Sequence, residues 1–274
     1  MAITAAQVKE LRDKTGAGMM DCKKALAEAE GDFEKAIDVL RKKGQKVAAK
    51  RGDNEVKEGV IFAESKGSVG YILQLNCETD FVAKNADFQA MIKSIMQVGM
   101  DKGAATTAEL MALPYNEKLS VEEKLTEQIG VIGEKLEISN FAKVEAETVV
   151  AYNHPGNQLA TLVALNKVGE AVEDAGKQVA MQVAAMNPVA LNKDGIDEAT
   201  IARELEVGKD LAIQEGKPAE MADKIAQGRL GKFFKENTLL SQAFIKDNKS
   251  SVEQFLNSTE KGLTVTEFKR FSLS

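Results

Sequence analysis

Residues 76–85 read NCETDFVAKN and lie where the sequence pattern changes from strand to helix. Before this stretch, residues 69–77 alternate with a period of two, which is typical of a half-buried strand. After it, apolar residues between 88 and 96 recur at helical spacing. Thr79 or Asp80 stands where a helix N-cap is expected, and Phe81 follows directly. The stretch therefore places a large aromatic ring at the entrance to a helix.

Two interpretations of this aromatic ring are open. In the first, Asp80 and Phe81 form an exposed tip that inserts into a partner. In the second, Phe81 is an ordinary core residue of the first helical turn and Asp80 is only its cap, because apolar residues are usually buried. The change from strand to helix periodicity is compatible with both interpretations.

A weak internal repeat with an offset of 90 residues bears on this choice. Both copies predict a strand, a turn and a helix. In this alignment Glu170 and Ala171 replace Asp80 and Phe81, so the bulk of the ring is not retained, which favours a special role for Phe81. The paired residues are Leu75 and Leu165, Asn76 and Asn166, Val82 and Val172, Ala90 and Ala180, Met91 and Met181, and Met96 and Met186.

The whole chain predicts an α+β fold in three parts. Residues 1–54 predict a three-helix bundle whose third helix ends near Gly44, followed by a basic stretch that is either a linker or a solvated helix extension. Residues 55–140 and 141–274 predict two related α+β subdomains. An antiparallel helical hairpin at about 190–230 is inserted in the second. This hairpin has apolar residues on more than one face, so it either docks on another chain or packs on its own core.

Composition narrows the classes of function. The 274 residues carry a net charge of −6, which argues against nucleic acid as the main ligand because phosphate binding requires a basic footprint. Cys22 and Cys77 are far apart, so we expect two small buried hydrophobes in a reducing compartment. The start lacks a signal-peptide pattern, and no apolar run is long enough to span a membrane. We therefore expect a cytoplasmic protein.

Catalytic chemistry finds little support in the sequence. His154, the one histidine, lies in a predicted turn without an obvious nucleophile. The glycines at 16 and 18 are not followed by the Lys-Ser/Thr pair of a phosphate-binding loop. We therefore expect no enzymatic activity, no metal site and no cofactor, and a protein that works by binding.

Two long motifs, TGAGMMDCKKAL at 15–26 and NCETDFVAKN at 76–85, closely resemble the bacterial elongation factor Ts family. The resemblance extends along the whole chain and implies a UBA-like bundle, a core of two subdomains and the inserted hairpin. It further implies a guanine-nucleotide exchange factor whose partner is elongation factor Tu, in its GDP-bound and nucleotide-free forms. The hairpin becomes a candidate for self-association or for a 2:2 complex.

The resemblance also implies which residues bind elongation factor Tu. The tip would reach the Mg²⁺ and phosphate region of the nucleotide-binding domain of Tu, the N-terminal residues would dock on the same domain, and the second half of the core would reach another domain. The tip set is Thr79, Asp80, Phe81 and Val82; the N-terminal set is Val8, Arg12, Met19, Met20 and Lys23; the core set is Ile132, Gly133 and His154.

The chain also departs from the pattern of this family. Residues 154–160 read HPGNQLA where the family commonly has a run of the HGGRIG type, and Ser139 and Asn140 stand where an RR pair is common. Some members carry a C-terminal extension, which we do not expect in this chain. An alternative function is that of an RNA- or ribosome-associated binding protein that uses the basic segment from Lys42 to Arg51.

Overall fold

The computed structural model describes residues 3–273 and has the α+β fold that the sequence predicts. Helices and strands alternate in runs along the chain. The helices are α1 (Ala5–Thr15), α2 (Met19–Glu28), α3 (Phe33–Arg51), α4 (Asp80–Ala83), α5 (Ala86–Lys102), α6 (Thr107–Ala112), α7 (Val121–Ile132), α8 (Glu170–Met186), α9 (Glu198–Gln214), α10 (Ala219–Asn237) and α11 (Val252–Thr259). The strands are β1 (Glu58–Lys66), β2 (Val69–Cys77), β3 (Glu137–Glu145), β4 (Thr148–Asn153), β5 (Leu159–Leu165), β6 (Ala243–Phe244), β7 (Asp247–Ser251) and β8 (Val265–Ser272).

Two three-stranded sheets have the strand orders β1-β2-β3 and β4-β5-β8, and β6 pairs with β7. The chain divides into two compact units, one formed by Leu73–Lys143 with the chain up to Phe62, the other by Ala63–Ile72 and Val144–Ser272. The division at 54 and 140 expected from the sequence stays a prediction. Between residues 3 and 273, no helix is both long and apolar enough to cross a membrane.

The N-terminal bundle begins as the sequence predicts. Thr4 and Gln7 form a reciprocal capping box at the start of α1, which ends at Gly16 in a left-handed conformation. Its small core includes the buried residues Leu11 and Leu26. The third helix does not end near Gly44; α3 continues without a break to Arg51, so the basic stretch is the helix extension and not a linker.

Gly44 does not end a helix; it lets two helices touch. A Cβ atom on Gly44 would lie 2.8 Å from the carbonyl oxygen of Thr126 in α7, and one on Gly130 would lie 2.6 Å from the Cα of Gly44. Real Cβ atoms do not approach backbone atoms so closely, so only glycine fits at either position. The crossing of α3 and α7 at these two glycines holds the N-terminal bundle against the rest of its unit.

The internal repeat is correct in its strands and wrong in its helices. Strands β2 and β5 each begin with a partly buried residue, Val69 and Leu159, and all their following residues are buried. The two first residues are 90 positions apart, which agrees with the predicted offset. The helices α5 and α8 both have 17 residues, and their buried positions coincide at an offset of 84 residues instead. The coinciding pairs are Phe88 and Val172, Met91 and Ala175, Ile92 and Gly176, Ile95 and Val179, Met96 and Ala180, and Gly99 and Val183.

The two offsets differ because the first copy has six more residues from the start of its strand to the start of its helix, 17 against 11. These extra residues contain α4, Asp80–Ala83, for which the second copy has no counterpart. Glu170 and Ala171 are therefore not the equivalents of Asp80 and Phe81; they begin the shared helix α8. The tip predicted from the sequence is an insertion into a strand–helix pair that the chain contains twice.

Replacing Gly44 by alanine tests the glycine crossing. We expect the free energy of unfolding in urea to fall by about 2 kcal/mol, because the new methyl group must push α3 and α7 apart. As a control, Gly228→Ala in α10 should raise the free energy of unfolding by roughly 0.5–1 kcal/mol, since no atom lies within 4 Å of its Cβ position and alanine favours helix. Equal stabilisation by both substitutions would contradict the crossing.

Candidate functional site

The tip is one helical turn with a cap at each end. The hydroxyl group of Thr79 accepts a hydrogen bond from the N–H of Val82 and so caps α4, and the side chain of Asn85 accepts one from the N–H of Asp87 and so starts α5. Two consecutive caps oblige the chain to end one helix and begin another within a few residues. The turn between them projects instead of continuing into the long helix.

Phe81 occupies the exposed side of this turn. The residue is 84% exposed, the highest value among the exposed large hydrophobic residues that the structure describes. The interpretation of Phe81 as a core residue of the first turn is therefore wrong. An exposed aromatic ring on a short capped turn is suited to fill a pocket in a partner, because aromatic residues dominate the binding energy of protein interfaces.

Asp80 adds a negative charge beside the ring. Its carboxylate lies 2.6 Å from the Nζ of Lys84, one turn further on, and the hydrogen bond from this lysine lowers the pKa of Asp80. Both side chains are exposed to solvent, so the ion pair contributes little to stability. Asp80 is therefore ionised at neutral pH, and its carboxylate can exchange Lys84 for another partner.

The base of the tip is a network of hydrogen bonds around two carboxylates. Glu134 follows α7 and accepts the N–H groups of Glu78 and Thr79 at 3.1 and 3.0 Å and the hydroxyl of Thr79 at 2.6 Å. The N–H of Lys135 in turn donates to Glu78 at 2.6 Å. These bonds join the end of β2 to the segment between α7 and β3.

Glu78 extends the network to the end of α3. Its two oxygens accept hydrogen bonds from Nη1 of Arg51 at 2.9 and 2.8 Å, and one of them accepts from Nδ2 of Asn54 at 3.0 Å. Burial alone would raise the pKa of Glu78, but the bonds from Lys135, Arg51 and Asn54 together hold this pKa below its ordinary value. Glu78 is therefore ionised and bound on several sides.

Cys77 ends β2, directly before Glu78 of this network. Its thiol is buried and donates to the carbonyl oxygen of Thr79 at 3.2 Å. Burial, with a smaller contribution from the charge of Glu134, raises the pKa of the Cys77 thiol to about 12. The thiol is consequently protonated and unreactive at neutral pH. Cys22 is buried in the N-terminal bundle, and both cysteines are free, as the sequence predicts.

A cleft of about 450 Å³ opens beside the tip. It brings Val82 of the tip set together with Ile132 of the core set, and Gly133 follows as the left-handed C-cap of α7. Most of its other lining is apolar or comes from the start of α5. The remaining lining residues are Gly16, Asn85, Asp87, Phe88, Met91, Gln128 and Val131.

The N-terminal set is mostly exposed. Met19 and Met20 begin α2 with side chains that are 46% and 64% exposed, and Arg12 and Lys23 are exposed as well. Val8 differs, because it is only 6% exposed and packs in the core of the bundle. Val8 therefore supports α1 mainly from inside, and its contact with a partner stays a prediction.

The second unit contains the last residue of the core set. His154 is exposed after β4, in a turn whose Asn157 has a positive φ of 56°. Its Nδ1 lies 2.9 Å from the hydroxyl oxygen of Tyr152. Tyr152 and His154 line the edge of a cleft of about 300 Å³ whose other walls are mainly apolar. Among residues 3–273, no group of three or more histidine, cysteine, aspartate or glutamate side chains could hold a metal ion.

The family model described as "Elongation factor TS" matches residues 78–274. The chain belongs to the elongation factor Ts family. Relatives named elongation factor Ts also cover the residues before 78. The relative from Christiangramia forsetii is 53% identical over 273 residues, which is 99% of this chain and 98% of the relative. The relative from Cytophaga hutchinsonii is 51% identical over 275 residues (99% and 99%), and the one from Porphyromonas gingivalis 46% over 275 residues (100% and 99%).

The helical hairpin predicted at about 190–230 is formed by α9 and α10. Its two helices approach closely at small residues, since a Cβ atom on Gly208 would lie 3.2 Å from the Cα of Ala226. Ion pairs join Lys209 to Asp223 at 2.7 Å and Arg229 to Glu215 at 2.8 Å. Four large apolar side chains nevertheless stay exposed: Val207, Leu211, Ile213 and Met221.

Sequence reasoning missed the residues that hold the tip. Glu78, Glu134, Arg51 and Asn54 are polar residues separated by up to 83 positions in the chain, so no local spacing relates them. The one available signal is the position of Glu78, which stands between a buried strand and an N-cap, where a charged residue needs a partner. Its partners could not be named without the fold.

The network around Glu78 predicts a specific dependence of stability on pH. Because its pKa is lower in the folded chain, ionised Glu78 stabilises the fold above its ordinary pKa of 4.5, and this contribution disappears as pH falls through the lowered value. At pH 7 we expect Glu78→Gln to lower the free energy of unfolding by about 1–2 kcal/mol. The difference between wild type and variant should shrink on acidification below pH 4.5; a constant difference would contradict the assignment.

Proposed function

We propose that this protein is a guanine-nucleotide exchange factor for elongation factor Tu and acts in translation elongation in the cytoplasm. The observation that carries the proposal is Phe81, 84% exposed on a capped turn in a chain of the elongation factor Ts family. The protein would make and break no covalent bond. Its action would be to bind the GDP-bound form of elongation factor Tu and promote release of GDP, so that GTP can rebind.

The tip is suited to weaken a bound Mg²⁺–phosphate group in two ways. The ring of Phe81 can wedge into the nucleotide-binding domain, and the carboxylate of Asp80 can bring a negative charge near the phosphates. Disturbing Mg²⁺ is effective because the ion is the largest local charge that holds the phosphates. Binding of the factor and binding of GDP then oppose each other, and each weakens the other by the same factor.

The magnitudes require more than the tip. A nucleotide held with nanomolar affinity is bound by about 12 kcal/mol. A roughly 10⁴-fold faster release requires the barrier to fall by about 5.5 kcal/mol. One buried aromatic anchor supplies about 2–4 kcal/mol. The remaining binding energy must therefore come from other surfaces, for which the exposed residues Arg12, Met19, Met20 and Lys23 and the residues Ile132, Gly133 and His154 are the candidates.

Docking by the N-terminal set fits the chemistry of its side chains. Met19 and Met20 offer flexible, polarisable apolar surface at the beginning of α2, and Arg12 and Lys23 place positive charge nearby. Such a mixture suits an acidic partner surface with an apolar centre. The net charge of the chain, −6, gives no general attraction to that surface, so the attraction has to be local.

RNA or ribosome binding is the alternative. One observation favours it: Lys42, Lys46 and Lys50 are exposed and recur every four residues along α3, so they share one helix face. Against it, Lys43 pairs with Asp21 at 2.6 Å and Arg51 binds Glu78, so two cations of the same segment bind within the protein. We expect no direct nucleic-acid binding of functional strength.

The helical hairpin is the candidate for self-association. Leu211 and Ile213 of α9 and Met221 of α10 leave apolar surface exposed, since these residues are 42%, 48% and 52% exposed. An exposed apolar surface of this kind is typical of a contact site. We propose that it contacts a second copy of the chain, either free or as part of a 2:2 complex with elongation factor Tu.

Replacing Phe81 by alanine tests the exchange function. We expect release of a fluorescent GDP analogue from elongation factor Tu, followed by stopped flow, to be strongly accelerated by wild type and about 10²-fold less by Phe81→Ala, the effect of losing one aromatic anchor. The control is Val168→Ala, which removes exposed apolar surface elsewhere and should leave release unchanged. The melting temperature of Phe81→Ala should equal that of wild type, because the ring makes few internal contacts.

Two results would contradict this proposal in different ways. If wild type did not accelerate release from a cognate elongation factor Tu, the exchange function itself would be wrong. Binding to RNA that weakens steeply with salt would then favour the basic face of α3. If wild type and Phe81→Ala were equally fast, exchange would stand and the tip would not be its means.

Polar substitutions on the hairpin test self-association. We expect sedimentation of wild type to depend on protein concentration, and Leu211→Ser combined with Ile213→Ser to weaken association roughly tenfold or more, because two apolar contacts are lost. Circular dichroism should show unchanged helix content. Sedimentation of wild type that is independent of concentration would exclude the hairpin as a self-association site.

A further inference from the structure

We propose that Glu134 is a positioning residue for nucleotide exchange: its carboxylate fixes the direction in which the tip projects. Glu134 contacts neither the ring of Phe81 nor the exposed face of α4; all its contacts with the tip are at the base. The inference rests on the proposed function, since it assigns a role in presenting the tip to elongation factor Tu. It also makes a separate claim about the free protein, namely that Glu134 holds the tip in one conformation.

The contacts of Glu134 determine the geometry of the cap. One oxygen, Oε2, accepts the consecutive N–H groups of Glu78 and Thr79, and the other, Oε1, accepts the hydroxyl proton of Thr79 at 2.6 Å. A hydroxyl group has one proton, so donating it to Glu134 turns a lone pair toward the N–H of Val82. Glu134 thereby orients the group that caps α4.

The end of the tip is held by Ala83, which is buried and whose carbonyl oxygen accepts a hydrogen bond from Nε2 of Gln89 at 3.3 Å; the start of the tip depends on its base. A single helical turn of four residues is not stable by itself, because nucleation is the unfavourable step of helix formation. Phe81 is exposed and contributes little packing. The ion pair of Asp80 with Lys84 lies within the tip and is exposed, so it does not fix the tip relative to the core. The start of the turn, which carries Asp80 and Phe81, is therefore oriented from the base.

The hydrogen bonds at the base of the tip run in both directions between the two segments, which makes the base stiff. Glu134 accepts the N–H of Glu78, and Glu78 accepts the N–H of Lys135, the residue after Glu134. The two segments therefore hold each other through two carboxylates and three backbone N–H groups. Arg51 binds both oxygens of Glu78, and the Nζ of Lys135 donates to the carbonyl oxygens of Gly52 and Asn54. Charge-assisted hydrogen bonds of this kind are the stronger class.

The experiment compares Glu134→Gln and Glu134→Ala with wild type in the full-length protein. Glutamine keeps the size of the side chain and removes the charge and one acceptor; alanine removes every contact. The control is Glu109→Gln, since Glu109 also accepts a backbone N–H, that of Ala105 at 2.7 Å, at the start of another short helix of the same unit. Phe81→Ala is measured beside them.

Two readouts are required. The first is hydrogen exchange of the backbone amides of residues 78–85 in the free protein, where we expect both Glu134 variants to exchange roughly tenfold faster or more, equivalent to about 1.4 kcal/mol of local stability. The second is GDP release as a function of factor concentration. We expect the maximal rate to fall roughly tenfold, again about 1.4 kcal/mol. The half-saturating concentration should change less, because the docking surfaces remain intact. Glu109→Gln should match wild type in both.

Each result decides a different claim. Unchanged amide exchange in Glu134→Ala would overturn the positioning role outright. Faster amide exchange with an unchanged maximal rate, while Phe81→Ala is slow, would show that exchange does not need a fixed tip and would also overturn it. If Phe81→Ala were itself as fast as wild type, the proposed action of the tip would fail, whereas the amide data would still report on Glu134. Should alanine unfold the protein, the glutamine variant carries the test.

Discussion

The close contact of α3 with α7 at Gly44 and Gly130 determines where every part of the tip can be held. The two backbones touch at this crossing, and α3 continues past it for about two more turns, roughly 10 Å. At its end Arg51 meets Glu78, and at the end of α7 Glu134 meets Thr79. The same pair of helices thus places the N-terminal bundle and supplies both carboxylate connections at the base of the tip. A bulkier residue at either crossing position would alter all of these distances together.

Local signals in the sequence predicted local structure well. Capping boxes form at Thr4 and Ser120, where a Thr or Ser stands three residues before a Gln or Glu, and the predicted helical hairpin is present. The α+β class followed from changes of period along the chain, since a period of two and a period of 3.6 are set by backbone geometry within a few residues. Such features need no knowledge of distant neighbours, so the sequence alone was sufficient for them.

Features that depend on distant neighbours were harder to predict. Gly44 has the same sequence signal whether it ends a helix or lets two helices touch, and only the position of α7 separates these roles. The repeat was misaligned because an apolar stripe of helical period agrees with another at several offsets, and six inserted residues shift the true one. The boundaries between the predicted domains stay predictions.

The candidate site shows the same limit. Phe81 could be placed at the entrance of a helix but not inside or outside the core, because burial of one ring depends on what packs above it. Val8 belongs to a binding set only by resemblance, whereas its spacing of three residues from Leu11 places it on the buried face of α1. The network of Glu78 and Glu134 had no local pattern at all, since its members come from three separate parts of the chain.

The insertion that forms the tip separates two kinds of evolutionary constraint. The framework, a strand followed by a 17-residue helix, occurs twice, and its second copy folds without the extra segment. Residues that pack the framework and residues that project from it are therefore different residues. Changes in the length or chemistry of the projecting segment can alter what the chain recognises while the framework keeps its packing. The contribution of this one turn to recognition can therefore change without repacking the framework.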